Sequence, residues 1–389
     1  MIVLYILLAI VVLMLMIMIH ETGHYIAGKI LKFEIEEFSI GFGPAIFSKK
    51  LKSGEIFSLR WIPLGGYCAF KGEDEDDDDD EVDDIDQKSD NVVKESQPTK
   101  DKTGCFNTYA CWKRLIVLFS GAFLNFVSAI LFTLILLVSV GSGMARVEGI
   151  YSDSVNKDVL QVNDIIMEVD GKTPTFLNGG IVGLMADKGV DEEIVLKIKR
   201  DGTIIDGVKV KKYQQIKYKE ENGQVVKDEE GNPIVVKDDN GNPVVIGTVI
   251  GIDPDYVVPL SFGEAIVQCV PYTFNMAWEC IKILGQLITG GIGIETVGGP
   301  ITTVQTIAVS TQESFKNLIL LFPLIAVNLA VFNLLPIPAL DGARMVFVLI
   351  EWIFRKPVPR NIEAKIHSVG MFVLFGLVIV IDLLHLFLF

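Results

Sequence analysis

Residues 2–19 are eighteen consecutive apolar residues, Ile2 to Ile19. In lipid the backbone N–H and C=O groups have no water to bond, so a run of this length is read as a membrane-spanning helix. A secretory leader is the competing reading, but the run lacks a basic n-region and a small-residue cleavage site. The expectation is therefore an uncleaved helix. Further apolar runs at 115–140, 318–339 and 369–389 repeat the pattern. The predicted fold is a multi-span α-helical membrane protein with about four transmembrane helices.

Basic residues flank these runs unevenly. Lys29, Lys32, Lys49, Lys50, Lys52, Arg60, Lys113 and Arg114 separate the first two runs, and Arg344, Arg355, Lys356, Arg360 and Lys365 separate the last two. Positive charge marks cytoplasmic loops, so residues 141–317 are expected outside. The formal charge of −15 is local, because residues 73–90 hold thirteen Asp or Glu against one Lys. That stretch reads as an acidic disordered loop, with a lure for basic partners or divalent cations as the sharper alternative. No nucleic-acid partner is expected. The five cysteines form no CxxC pair and no disulfide framework.

The segment 144–255 reads as a compact α+β domain of short strands, turning at Asn163-Asp164, Asp170-Gly171 and Asp201-Gly202. Within it, 214–247 repeats a Gly turn opening into a short strand and is expected to be a hairpin insertion. The stretch 256–300 contains apolar residues at helical spacing and fits an interfacial helix. The expected division is 1–30, the first span; 31–72, a β-loop; 73–104, the acidic loop; 105–143, the second span; 144–255 and 256–300 as above; 301–345, the third span; and 346–389, a cytoplasmic loop with the fourth span.

The first run ends in "HETGH". Ionisable groups in a membrane segment are costly and usually functional. His20 and His24 are four apart and share a helix face about one turn apart. Two imidazoles so spaced can chelate one Zn²⁺, and Glu21, displaced around the helix, can take a proton from a water. The bland reading is a chance motif, two histidines satisfied at a helix end. A catalytic zinc needs a third protein ligand. "AVFNLLPIPALDGARM" (330–345) supplies Asp341 where Pro336 and Pro338 break the third span. By itself Asp341 would be a helix cap. With HETGH it completes a His₂-carboxylate set: His20, His24 and Asp341.

These motifs resemble the site-2 protease family of intramembrane zinc metalloproteases. "FSIGFGPAIF" with "FSLRWIPLGGYCAF" resembles its membrane-dipping β-loop, and "CFNTYACWKRLIVLFSGAFLNFVSAI" its second-span signature, with Arg114, Gly121 and Asn125 in place. "TVGGPI" (296–301) also recurs there. The resemblance implies Glu21 as general base, one zinc per chain on His20, His24 and Asp341, and Asn333 as a substrate-holding residue. The β-loop, shaped by a turn at Gly41, Gly43 and Pro44, would pair with an unwound substrate segment. The 144–255 domain would be PDZ-like and extracytoplasmic, as in the bacterial branch that cuts anti-sigma factors. Gly121-Ala122 and Gly342-Ala343 depart from the family's GP and GG without touching a ligand.

The implied function is cleavage of a single-span membrane protein or a signal-peptide remnant within the bilayer of a bacterial cell. An upstream site-1 protease would already have trimmed the substrate, and the active site would lie near the cytoplasmic side. A rival class is a catalytically inactive scaffold with a PDZ-type peptide-binding domain, which needs a lost ligand or base. A metal transporter would need polar residues along a through-path, whereas here they converge at one depth.

Overall fold

The computed structural model describes residues 2–73, 104–151, 153–216, 220–221, 224–225, 234–238, 243–293 and 298–388. In chain order the elements are α1 (Ile2–Leu31), β1 (Ile35–Lys50), β2 (Ile56–Phe70), α2 (Cys111–Ser139), β3 (Ala145–Ile150), β4 (Ile165–Val169), α3 (Gly180–Leu184), β5 (Glu193–Arg200) and β6 (Thr203–Lys211). There follow β7 (Tyr213–Ile216), β8 (Glu220–Glu221), β9 (Gln224–Val225), β10 (Val245–Val249), β11 (Ile252–Asp255), α4 (Phe262–Ile288), α5 (Pro300–Glu313), α6 (Phe315–Asn333), α7 (Asp341–Phe354) and α8 (Arg360–Leu388). The acidic run, from 74 to 103, and much of the 214–247 insertion lie outside the described residues. Two compact units form, one of Met1–Thr133 with Gln268–Phe389, the other of Leu134–Val267.

In the first unit, α1 is apolar on all sides but buries only one stripe: Ala9, Val12, Met16, His20, Gly23, His24 and Ala27. This three-to-four spacing is the helical period, so the motif histidines continue the packed face while Val3, Leu4, Leu7 and Leu15 stay exposed. The helix stops at Lys32, whose φ of 63° is left-handed, and the Phe33 N–H returns to the Gly28 carbonyl at 2.9 Å. Four described helices are long and apolar enough to cross a membrane: α1, α2, α6 and α8 over Asn361–His385. This is the build of a multi-pass membrane protein.

The β-loop region forms a hairpin whose strands are each used twice. Residues 47–50 pair with 56–59 and residues 35–40 with 66–70, while 56–59 also lies along 37–40 with both numbers rising together. The turn expected at Gly41, Gly43 and Pro44 is corrected: β1 runs through them, and the chain reverses at Leu51–Glu55. Gly41 (φ 85°) and Gly43 (φ 82°) instead kink the strand, and a Cβ at Gly41 would press on the Ile62 carbonyl. Arg60 fixes the kink, donating to the Gly43 carbonyl at 2.7 Å and to Glu37 Oε1 at 2.7 Å. Burial works to raise the Glu37 carboxyl, but hydrogen bonds from Ser58, Arg60 and Tyr67 leave it below its ordinary value.

The hairpin tip docks on α1 through Glu55, whose side chain is 1% exposed and accepts from Lys29 Nζ at 2.7 Å, the Tyr25 hydroxyl at 2.9 Å and the Ser53 hydroxyl at 2.9 Å. Burial opposes the charge, but the Lys29 ammonium and these hydroxyls bring the carboxyl from 4.5 down to about 2. A depressed carboxyl stabilises the folded form above its unfolded value, and that contribution disappears as pH falls from 4.5 towards 2. Glu55→Gln is expected to raise limited proteolysis at the tip about tenfold at neutral pH. The wild type should match it only after acidification through that window, and a variant indistinguishable at pH 7 would refute the docking.

One helical expectation is also corrected, and another element shows helix partners. The 256–300 stretch, expected as an interfacial helix, contacts other helices. Its helix α4 buries Cys269, Thr273, Met276 and Cys280, donates from the Thr273 hydroxyl to Thr133 on α2 at 2.9 Å, and from Cys280 Sγ to Asn328 on α6 at 2.8 Å. Such polar contacts between helices are favoured where lipid offers no alternative partner. The 301–345 segment is not one helix: α5 ends before Ser314, which caps α6 by accepting the Lys316 N–H, and Asp341 belongs to α7. Asp382 of α8 holds the start of α5, accepting the Ile301 N–H at 3.2 Å, the Thr302 N–H at 3.1 Å and the Thr302 hydroxyl at 2.8 Å.

The second unit is a five-stranded antiparallel sheet in the order β11-β3-β4-β5-β6, with α3 beside it. Alternate residues Ile194, Leu196 and Ile198 are fully buried with Val147, Ile166 and Leu160. The Asp-Gly turns form as expected, with positive φ at Asp170, Gly171, Asp201 and Gly202.

Candidate metal centre

Three elements bring the motif residues together. His20 and His24 project from the buried face of α1, and Asp341 opens α7 after a turn that the two prolines keep from being helical. The aspartate starts there because Gly342 packs against the carbonyls of Leu334 and Leu335, where any Cβ would collide. α7 is anchored in turn by Arg114, 2% exposed, whose guanidinium donates to Glu351 at 2.5 Å and to Cys111 Sγ at 3.4 Å.

His20 Nε2 lies 3.0 Å and His24 Nε2 3.2 Å from Asp341 Oδ2, and the two Nε2 atoms are 3.1 Å apart. This near-equilateral triangle matches donors about 2.0–2.1 Å from one tetrahedral ion, which stand about 3.3 Å apart. His24 Nδ1 lies 2.9 Å from the Val117 carbonyl, an acceptor only, so Nδ1 carries a proton and Nε2 is the nitrogen that can ligate a metal. That Nε2 faces the other imidazole nitrogen at 3.1 Å and the Asp341 carboxylate oxygen at 3.2 Å. Such a set of facing donors suits a cation. Among the described residues it is the only group of three or more His, Cys, Asp or Glu so arranged.

The surroundings orient the ligands. His20 Nδ1 is 3.5 Å from Asn125 Nδ2 and 3.4 Å from Asn333 Nδ2. Asn125 is fully buried and its Oδ1 has no partner. Only with both amides turned by half a turn would their Oδ1 atoms accept a His20 Nδ1–H and leave Nε2 free for a metal. Asn333, expected to hold substrate, thus ends α6 with its amide against a motif histidine. Gly121 gives the rings room, since a Cβ there would lie on His24 Nε2 and His20 Cε1. Gly121→Ala is expected to lower zinc affinity at least about tenfold, read by chelator competition; wild-type affinity would show that the rings can shift.

Glu21 is placed by the hairpin. It accepts the Cys68 backbone N–H, and its Cγ is 3.6 Å from where a Cβ on Gly66 would stand. Burial and the nearby Glu21 carboxylate push the Cys68 thiol up, so it stays neutral. The expected substrate residues Gly41, Gly43 and Pro44 lie on β1 just after Ile40, which pairs with Gly66. Gly66 and Cys68 were not singled out by sequence, which carries no signal for which segment of a twice-folded hairpin meets Glu21.

Comparison with known proteins agrees with this chemistry. A protein of Fusobacterium nucleatum named "Putative zinc metalloprotease" is 30% identical over 97% of this chain and 96% of its own length. Proteins given the same descriptive name are 27% identical in Clostridium perfringens, covering 97% of each chain, and 28% identical in Campylobacter jejuni, covering 95% of this chain and 90% of the other. The description of peptidase family M50 fits residues 8–377, a span that holds HETGH, the hairpin and Asp341. The chain belongs to peptidase family M50, the site-2 protease family of metalloproteases.

Proposed function

We propose that this protein is an intramembrane zinc endopeptidase that hydrolyses a peptide bond in the transmembrane segment of a single-span substrate. The observation that carries the reading is the Nε2–Nε2–Oδ2 triangle built on the packed face of a membrane helix. His20, His24 and Asp341 would hold one zinc, which supplies a Lewis acid that makes water a stronger acid near neutral pH. Glu21, fixed by the Cys68 N–H, takes the proton of the attacking water and returns it to the leaving amine. A helical substrate must first unwind, because its carbonyls are bonded internally. Gly41, Gly43 and Pro44 interrupt the ladder beside Ile40, whose partner Gly66 adjoins Glu21, so a segment paired there reaches the site.

The basic residues of the hairpin and of the stretch between α6 and α8 support a site near the cytoplasmic side, with residues 144–255 outside as a PDZ-like size gate or docking module. Substrates would be anti-sigma factors trimmed outside by a site-1 protease, or signal-peptide remnants, in a bacterial plasma membrane. The test compares membrane fractions of cells carrying the wild type or Glu21→Gln. Single-span fragments should accumulate only with the variant, and identical fractions would overturn the reading.

A further inference from the structure

We propose that His367, on the last helix, is a positioning residue that holds the turn delivering Asp341. The inference rests on the metal-binding role given to Asp341 above. The 334–340 turn has backbone bonds of its own, Ile337 N–H to Leu335 at 2.7 Å and Leu340 N–H to Ile337 at 3.1 Å, but Ala339 between them sits at φ 78°, a left-handed conformation that costs a residue with a Cβ free energy. A contact from outside the turn adds to these. His367 Nδ1 lies 3.0 Å from the Ala339 N–H, which donates to it, two residues before Asp341. As an acceptor, Nδ1 carries no proton, so the ring is neutral with its hydrogen on Nε2.

The grip is reinforced on both sides. The His367 ring meets Phe347 of α7 edge to face, centroids 5.6 Å apart, and so touches the helix that Asp341 begins. One turn further along α8, Gly370 lies so close to Pro338 that a Cβ would collide with that ring. Thus α8 contacts 338 and 339, while Gly342 against Leu334 and Leu335 fixes the other side of Asp341. Of the four histidines, two are in the metal trio; this third one acts on the remaining ligand through the backbone.

The substitutions separate packing from hydrogen bonding. His367→Phe keeps the ring and loses the acceptor. His367→Asn places Oδ1 where Nδ1 was, whereas His367→Gln carries its acceptor one bond further out. In hydrogen exchange of the metal-free full-length protein in nanodiscs, the peptide covering Ile337–Gly342 should exchange about five- to tenfold faster in the Phe and Gln variants than in wild type. The Asn variant should exchange as wild type does. Zinc affinity by chelator competition should follow the same order, falling roughly tenfold in Phe and Gln and recovering in Asn. Should the Phe variant fail to fold, the Asn and Gln pair decides alone.

Equal exchange in wild type, Asn and Gln overturns the proposal. Faster exchange with unchanged zinc affinity overturns the link to Asp341. Exchange in the expected order from a wild type that binds no zinc overturns the metal reading and, with it, the positioning role, leaving only the turn contact.

Discussion

Glu21→Gln is expected to slow cleavage of a single-span reporter in proteoliposomes by on the order of 100- to 10,000-fold and to leave zinc content at the wild-type level. The two outcomes separate because Glu21 stands apart from the Nε2–Nε2–Oδ2 triangle. A glutamine has the same length and its carbonyl oxygen can still accept the Cys68 N–H, so the hairpin contact survives. What it lacks is a site for the proton that a general base removes. Loss of zinc with loss of activity would reassign Glu21 to the metal shell, and full activity would end the general-base assignment.

That contrast also shows which parts of the site were legible in the sequence. The i, i+4 spacing of His20 and His24 fixes a shared helix face before any tertiary contact exists, and an apolar run beside it fixes a membrane segment. Asp341 was legible because two prolines and a glycine announce a break wherever they fall. The strand that meets Glu21 was not. Register in a hairpin depends on where kinks fall, and glycines at 41, 43 and 65 with positive φ allow several foldings of the same ribbon. The partners of α4 were not legible for a related reason. Its scattered polar residues match an interfacial helix in periodicity, and only the partners of Thr273 and Cys280 reveal that they face other helices. His367 carries no motif at all; its role exists only because α8 returns to the turn before Asp341.

Asp341→Asn should lower zinc affinity on the order of 100-fold or more, beyond the loss typical of a residue that only orients a ligand. The amide keeps the shape of the carboxylate but not its charge, and its oxygen is a poor match for zinc beside two neutral imidazoles. Relaxation cannot restore the site easily. The start of α7 is pinned by Gly342 against Leu334 and Leu335, and its body by the Arg114–Glu351 pair. Asp341→Glu tests this rigidity, because its extra methylene needs a backbone shift that those contacts resist. It should bind zinc more tightly than Asn yet cleave the reporter more slowly than wild type, since a displaced oxygen shifts the ion relative to Glu21. Zinc measured after chelator dialysis, with cleavage rates on the same samples, decides the matter: unchanged metal and unchanged activity in Asp341→Asn would remove this residue from the site.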